Sequence, residues 1–292
     1  MPCCSNLIKN IEKDIDQIKN NHDKTTAQLS CEKQVMLEEH ERLSPHLLFE
    51  IICRDGDEEL SRPTRALIFS GIAAGIVISF SFLFKAVLTM HLPHAPWADL
   101  ITSLGYTTGF IIVILGRMQL FTENTITTVI PVLNDRSFGK LLQLLRLWGL
   151  VFLSNLIGTF LAALFLSNPL FISPDLTAAL QGIAEHVVSM PPTENIVQGV
   201  PAGILIAAIV WMMPMSRSFS FFLILFFTYF ISLGGFAHVV VGSGELVYAV
   251  INGSANFYDY FFRFLIPTGL GNILGGTFVF TILVYAQVKR EL

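Results

Sequence analysis

Long runs of apolar residues, separated by short polar connections, make up most of the chain after residue 64. About 20 apolar residues are enough to cross the roughly 30 Å hydrocarbon core of a bilayer. By this length the pattern predicts six membrane passages, at residues 66–89, 100–133, 145–167, 194–213, 219–251 and 262–286. We therefore expect an all-α, polytopic membrane protein.

Two of these passages, 100–133 and 219–251, are longer than one crossing needs, and each is interrupted by polar or glycine-rich residues. The first is interrupted at 116–119, and the second at 234–238 and again at 242–245. Irregular backbone at membrane depth is tolerated only where it is buried in protein or lines a cavity. Paired interruptions in two half-chains are typical of inverted repeats with discontinuous helices. The pattern predicts six helices in two inverted three-helix repeats, with the second and fifth broken beside a pathway.

The distribution of charge separates a polar N-terminal segment from the membrane domain. Half of the 18 lysines and arginines and 13 of the 22 acidic residues precede residue 66, although the whole chain has a mean hydropathy of +0.63. We expect an N-terminal segment with amphipathic helices (1–64), a six-helix channel domain (65–288) and a short tail (289–292).

Basic residues also predict the orientation in the membrane. The connections 90–99 and 168–193 contain no lysine or arginine, whereas basic residues occur in the connection 134–144, at Arg217 and at the C-terminus. Cytoplasmic loops carry an excess of lysine and arginine. With six crossings, both termini are expected in the cytoplasm, and the location is expected to be the inner (plasma) membrane.

The N-terminal segment contains two apolar seams with helical spacing. The first consists of Ile8, Ile11, Ile15 and Ile18. It predicts either a surface helix or a helix that bundles with copies of itself. The second consists of Leu47, Leu48, Ile51 and Ile52, and the charged run 54–59 is expected to end its helix.

All four cysteines also lie in this segment, and none has CxxC spacing. They are Cys3, Cys4, Cys31 and Cys53. We expect reduced thiols on the cytosolic side, with lipidation or metal binding at the adjacent Cys3 and Cys4 as the alternative.

Several functional classes have no support in the sequence. The net charge of −4 offers no basic surface for nucleic acid. No phosphate-binding loop, metal cluster or nucleophilic triad is visible in the sequence, so we expect neither an enzyme nor a cofactor or metal site.

His238, in the second interruption, is the first candidate for chemistry. An ionisable side chain at membrane depth is costly and usually functional, and histidine exchanges a proton near physiological pH. The alternative is a neutral ring that is hydrogen-bonded to a neighbouring helix. His186, in an outer connection, is either a solvated loop residue or a titratable group at the outer entrance.

The interruptions contain further polar candidates. Thr122 and Glu123 in the first, and Ser243 and Glu245 in the second, fit N-caps and first-turn acids, and both glutamates are expected to face protein. Arg117 is expected to pair with Glu123 or a backbone carbonyl, or else to attract anions.

Two asparagines beside glycines occupy matched positions in the third and sixth passages. Asn155 and Asn272 are each expected to bind backbone groups that the nearby interruption leaves unpaired. The glycines and alanines of the first, third, fourth and sixth passages are expected to allow close contact between helices.

Four stretches together resemble the formate/nitrite transporter family. They are Leu120-Phe121-Thr122, Gly235-Phe236-Ala237-His238, the stretch from Trp148 to Gly158, and the stretch from Leu265 to Gly276. The similarity covers about residues 62–288, and the approach at 56–63 resembles the YfdC-type branch of the family.

This resemblance implies an aquaporin-like protomer, a homopentamer in the lipid bilayer with one pore per subunit, and passage of small monovalent anions such as formate, nitrite or hydrosulfide. It also implies that His238 is linked to Thr122 and Asn272 between two apolar constrictions. The constriction residues would fall near Leu120, Phe121, Tyr106, Phe110 and Ile231.

The chain departs from the family pattern at Ala237, where an acid is frequent, at Gly203, where an asparagine is usual, and at Val187, near which an entrance lysine is usual. Arg117 is an additional charge.

The leading hypothesis is therefore a channel or proton-linked transporter for a small weak-acid anion, with the anion and a proton as its partners and His238 as proton relay or electrostatic partner. A pore for a neutral small molecule such as ammonia, water or an undissociated acid is the second hypothesis. A non-conducting membrane platform for the N-terminal segment is the third.

Overall fold

The computed structural model describes residues 43–216 and 218–291, and within them it is built from helices joined by short connections. The predicted helix around Ile8–Ile18, three of the cysteines and Arg217 lie outside the described residues. An amphipathic helix, α1 (Pro45–Ser61), precedes the first membrane passage. The predicted domain boundaries at 64 and 288 stay a prediction.

The first half of the membrane domain contains α2 (Thr64–Ile78), α3 (Phe80–His91), α4 (Ala98–Leu115), α5 (Phe121–Thr127), α6 (Val129–Asn134) and α7 (Phe138–Leu166). The second half contains α8 (Pro174–Ser189), α9 (Pro192–Met212), α10 (Ser220–Leu233), α11 (Val239–Ile251) and a last helix, α12. Helix α12 begins at Asp259 and comprises the segments Asp259–Leu265, Ile266–Ile273, Leu274–Thr281 and Ile282–Glu291.

Membrane-length helices occur at the four passages predicted to be unbroken and in the first part of the broken passage 100–133. Within the described residues, five helices are long and apolar enough to cross a bilayer: Thr64–His91, Ala98–Leu115, Phe138–Leu166, Pro192–Met215 and Asp259–Lys289. Helices α10 and α11 are shorter apolar helices. The chain is thus a multi-pass membrane protein.

Both predicted helix breaks are present. Helix α4 ends at Leu115 and α5 begins at Phe121, while α10 ends at Leu233 and α11 begins at Val239. The second interruption predicted inside 219–251 was wrong, because α11 runs without a break through residues 242–245. There Gly242 makes room for the ring of Phe264 rather than turning the chain. The arrangement as two inverted repeats stays a prediction.

Helix α1 is longer than its apolar seam predicts. The charged run 54–59 was expected to end it, but the helix continues to Ser61. Leu48, Phe49, Ile52 and Leu60 are buried. Gly56 lies directly against Thr127 and Pro131, where a Cβ atom would clash. Tertiary contact with α5 and α6 therefore stabilises the polar turns of α1.

Two helix pairs approach closely through small residues, as the sequence predicts. Gly75 of α2 meets Gly158 of α7, and Gly199 of α9 meets Gly271 of α12. Because lipid tails are as apolar as the side chains, there is no hydrophobic driving force for helix association in the membrane. Small residues let the two backbones approach closely, and van der Waals contact between them then stabilises the pair. Each pair fixes one of the two asparagine-bearing helices beside a break.

Two segments of helix α12 have a wider helical turn than an α-helix. Its segments Asp259–Leu265 and Leu274–Thr281 are π-helical. The second π segment brings Gly276 against the Thr125 side chain and lets Thr277 Oγ1 donate a hydrogen bond of 2.7 Å to the Thr125 carbonyl. π-Helical segments inside α-helices are frequent at functional sites. Here the widening connects α12 to the short helix that follows the first break.

Candidate functional site

The two breaks end their first helices with the same backbone geometry. Gly116 and Gly234 follow the last helical residues, and the next residue adopts a positive φ, 51° at Arg117 and 65° at Gly235. In both breaks, the residue after the positive-φ position donates a backbone hydrogen bond back into the helix. Met118 N donates to Val113 O at 3.0 Å, and Phe236 N donates to Ile231 O at 2.9 Å. This is the Schellman ending of a helix.

The two asparagines then bind the backbone that each break leaves unpaired. Asn155 accepts from Phe121 N at 2.9 Å and donates to Gly71 O and Gln119 O at 2.9 and 2.8 Å. The side chains of Asn155 and Asn272 are both fully buried. The sequence-based prediction for Asn155 is confirmed.

Asn272 makes the equivalent three bonds in the second half. It accepts from Val239 N and donates to Gly199 O and Ala237 O, each at 2.9 Å. The resemblance implied a link between Asn272 and His238, and in the structure this link runs through the backbone rather than through the ring. Asn272 holds the backbone on both sides of His238.

His238 lies at the position in the second break that Leu120 occupies in the first, directly before the new helix. Its Nδ1 accepts from Val241 N at 3.3 Å, so the ring itself caps α11. Its Nε2 lies 2.8 Å from Thr122 Oγ1. The Phe110 ring packs edge-on at a centroid distance of 4.9 Å. The predicted Thr122–His238 link is therefore confirmed.

These contacts fix the tautomer of the neutral ring. Because Nδ1 accepts a hydrogen bond from the backbone, the ring hydrogen must be on Nε2, which donates to the Thr122 oxygen. A second proton on Nδ1 would require the cap to break. The Thr122 hydroxyl, in contrast, keeps its own hydrogen for another acceptor.

Thr122 and Ser243 do not have the capping roles that the sequence predicts. The residues in the cap positions are Leu120 and His238, and Asn155 supplies the side-chain acceptor for the first of these helices. Ser243 lies inside α11, where its hydroxyl is 2.7 Å from that of Tyr260.

A cavity of about 760 Å³, the His238 cavity, extends from His238 toward the side that the charge pattern predicts to be outer. Its mouth is lined by the exposed residues His94, Asp99, Asp175 and His186. Deeper, it is lined by Phe236, Ala237 and Glu245 beside His238. His186 lies on α8, and its position fits the entrance alternative rather than the loop alternative.

The constriction residues implied by the resemblance separate into two groups. Tyr106 and Ile231 line the His238 cavity. Leu120, Phe121 and Phe110 are buried but do not line it. Phe121 instead packs against Phe152 and Trp148, at centroid distances of 4.6 and 5.6 Å.

Lys85, to which no sequence motif points, also lines the His238 cavity. It lies on α3, where Nζ donates to Ser232 Oγ at 3.2 Å and lies 5.9 Å from the centre of the Tyr106 ring. The rule that drew attention to His238, that an ionisable side chain inside a passage is usually functional, applies equally to this lysine.

Glu245 was expected to face protein. The residue is 94% buried, but it also lines the His238 cavity, and its electrostatic partner is Lys85. Glu123 does not line this cavity.

Arg117 does not form the predicted ion pair with Glu123. Among the described residues no acidic group lies within 4.0 Å of its guanidinium, the residue is exposed, and it does not line the His238 cavity. Its role in the break is the left-handed position that glycine occupies at Gly235.

The departure at Gly203 has a structural reason. A Cβ atom there would clash with the backbone of Asn272 and Gly276. The usual asparagine therefore has no room. Ala237 uses its backbone, donating to Gln198 O at 3.1 Å and accepting from Asn272.

Comparison with known proteins agrees with this architecture. The family model for formate/nitrite transporters matches residues 46–286. The chain is 40% identical to the inner membrane protein YfdC of Escherichia coli over 84% of this chain and 79% of that one. It is 26% identical to the formate channel FocA of Haemophilus influenzae, over 71% and 81%. A solved pentameric formate channel with formate bound superposes with a TM-score of 0.67 at 22% identity, covering 78% of this chain and 98% of that one. The chain therefore belongs to the formate/nitrite transporter family, whose members are channels and transporters.

Proposed function

We propose that this protein is a channel or proton-linked transporter for small monovalent weak-acid anions of the formate, nitrite and hydrosulfide class. The family membership and the similarity to a formate channel support this class of substrate. We further propose that it acts as a homopentamer in the inner membrane with both termini in the cytoplasm. The pentameric structural neighbour and the basic residues of the 134–144 connection support that arrangement.

The observation that carries the proposal is the position of His238. The cavity ends at this ring, and Nε2 meets Thr122 from the other half of the domain at 2.8 Å. A substrate at the end of the cavity would therefore meet one imidazole and one hydroxyl at the junction of two broken helices.

Charge neutralisation is the physical reason to expect proton linkage. Phe110, Leu120 and Phe121 are buried apolar side chains near this junction. Moving an unpaired anion past such groups costs several kcal/mol or more, whereas the protonated acid has no net charge. His238 would act either as a proton relay or as the electrostatic partner of the anion.

Flux into proteoliposomes tests this proposal. Uptake of formate, nitrite and hydrosulfide should rise as the external pH falls, above the leak of protein-free vesicles. His238→Ala should lower the rate or remove its pH dependence. Flux that is independent of pH and unchanged by His238→Ala would refute the mechanism.

A neutral substrate is the second candidate, and one observation favours it. The His238 cavity contains three carboxyl groups, from Asp99, Asp175 and Glu245, against the single ammonium group of Lys85. Such a lining does not concentrate anions. Ammonia, water or undissociated-acid flux in the absence of anion uptake would decide for this candidate.

A further inference from the structure

One wall of the His238 cavity carries polar groups from three helices. Lys85 comes from α3, Ser103 and Tyr106 come from α4, and Glu245 comes from α11. These groups lie in one cavity because α11 packs beside α3 and α3 beside α4. None of them is part of the His238–Thr122 contact.

Most of these groups have unused bonding capacity. Among residues 43–216 and 218–291, no hydrogen bond or ion pair reaches the Glu245 carboxylate, although the residue is 94% buried. Ser103 Oγ is buried without a hydrogen-bond partner in the same part of the chain. Lys85 Nζ makes one bond, to Ser232. A buried polar group normally has a partner, and leaving it without one costs about 1–3 kcal/mol.

Lys85 and Glu245 interact electrostatically, yet they do not touch. Their interaction is the principal one for the carboxylate, but the pair is not among the ion pairs within 4.0 Å. An ammonium and a carboxyl group thus face the same space from two helices. A small molecule that accepts from one and exchanges a proton with the other would satisfy both.

Other titratable groups lie along the same cavity and on the helices packed against it. Tyr106 interacts electrostatically with Glu245, and Asp99 interacts electrostatically with Lys85. His238 lies at the start of the same helix, and His94, Asp175 and His186 lie at the mouth. On the side of α12, the Tyr260 hydroxyl is engaged with Ser243.

We propose that Lys85 and Glu245 form a loading site at which a small monocarboxylate binds together with one proton. The Lys85 ammonium donates to one carboxylate oxygen, and the protonated Glu245 donates to the other. The proton then passes from the Glu245 oxygen to the substrate oxygen. One O–H bond breaks, one forms, and the neutral acid leaves toward His238 while Glu245 returns to its carboxylate.

This inference rests on the proposed function, and it assigns the proton-loading step to a carboxyl group rather than to the imidazole. A flux that requires one protonated carboxyl group falls about tenfold per pH unit on the alkaline side of its pKa. Replacing Glu245 by glutamine keeps a hydrogen-bond donor for the substrate but removes the titration.

The test compares formate uptake and internal acidification in proteoliposomes of the full chain, at acidic and neutral external pH. Wild type should take up formate and protons together, with uptake falling as pH rises. Glu245→Gln should still bind formate but lose most of the uptake and of the acidification at both pH values, because its amide supplies no proton to neutralise the anion. Lys85→Met should lose uptake at low formate concentration, and Glu245→Asp should restore proton coupling.

Glu123→Gln is the matched control, since this acid follows the first break but does not line the cavity, and it should behave as wild type. If Glu245→Gln shows wild-type pH dependence and acidification, the loading site is refuted while the proposed function stands. If wild type itself transports no anion, the proposed function fails first. Variants are compared only where elution and melting temperature match wild type, and Glu245→Asp with wild-type folding but without coupling would also refute the site.

Discussion

Asn155 and Asn272 hold the two helix breaks with the same set of three hydrogen bonds. Each accepts from the first backbone N–H of the new helix and donates to one carbonyl in the break and one on a glycine-bearing neighbour. An amide is suited to this task because it offers an acceptor and two donor hydrogens. The same type of side chain therefore satisfies the unpaired backbone groups of both breaks.

Removing either amide should destabilise the protein. Asn272→Ala leaves one buried N–H and two carbonyls without their partner, at about 1–3 kcal/mol for each group that finds no substitute. Asn155→Ala should have a similar effect. The melting temperature in detergent measures the loss. Asn134→Ala is the control, because Asn134 is exposed and should change stability by less than about 0.5 kcal/mol. Equal melting temperatures for all three variants would contradict the assignment.

Restoring the usual family residue at Gly203 should harm the fold. Even the Cβ atom of Gly203→Ala would press on the Asn272 and Gly276 backbone, and overpacking costs about 1–3 kcal/mol. Gly203→Asn should be worse. Gly149→Ala is the matched control, since nothing lies within 4 Å of that added Cβ, and its higher helix propensity should be neutral or stabilising. Gly203→Asn with wild-type melting would show that the helices can separate without penalty.

The two roles of His238 can be separated by substitution. Asparagine at this position can still cap α11 but cannot reach Thr122 as the Nε2 atom does. His238→Asn should therefore keep most of the stability, whereas His238→Ala should lose about 0.5–2 kcal/mol for the cap. Thr122→Val removes the hydroxyl while keeping the shape, so its flux defect should resemble that of His238→Asn. A stable His238→Ala would contradict the cap.

The helix breaks and the asparagines were predictable because their signals are local. Polar and glycine residues interrupting an apolar run, and one amide beside glycines, can each be read within a few positions. The capping residues were not predictable in the same way. Thr122 and Ser243 are good caps by type, but the path of the backbone places Leu120 and His238 in the cap positions.

Lys85 and Glu245 gain their meaning only from tertiary structure. A single lysine toward the end of the first predicted passage, 66–89, could bring its ammonium group to the interface, as lysine side chains near the ends of membrane helices do. Glu245 in the second half resembles Glu123 in sequence context. Only the packing of α3 against α11 places the lysine and Glu245 around one cavity. Likewise, a glycine pair such as Gly242 and Gly244 indicates a turn or close packing equally well, and the contact with Phe264 decides for packing.

Cys53, on α1, should titrate at a higher pH than an ordinary thiol. Burial raises its pKa, and Asp57 raises it further, while Lys140 opposes these effects. Because the thiolate is the reactive species, maleimide labelling of a Cys3→Ser, Cys4→Ser, Cys31→Ser variant should have its half-point at higher pH when folded than in sodium dodecyl sulfate. The half-point is compared rather than the rate, since burial also slows access. Glu50 is a further carboxylate that raises the pKa, so Glu50→Gln should move the folded half-point downward. A folded half-point at or below that of the denatured protein would contradict the packing of α1 around this thiol.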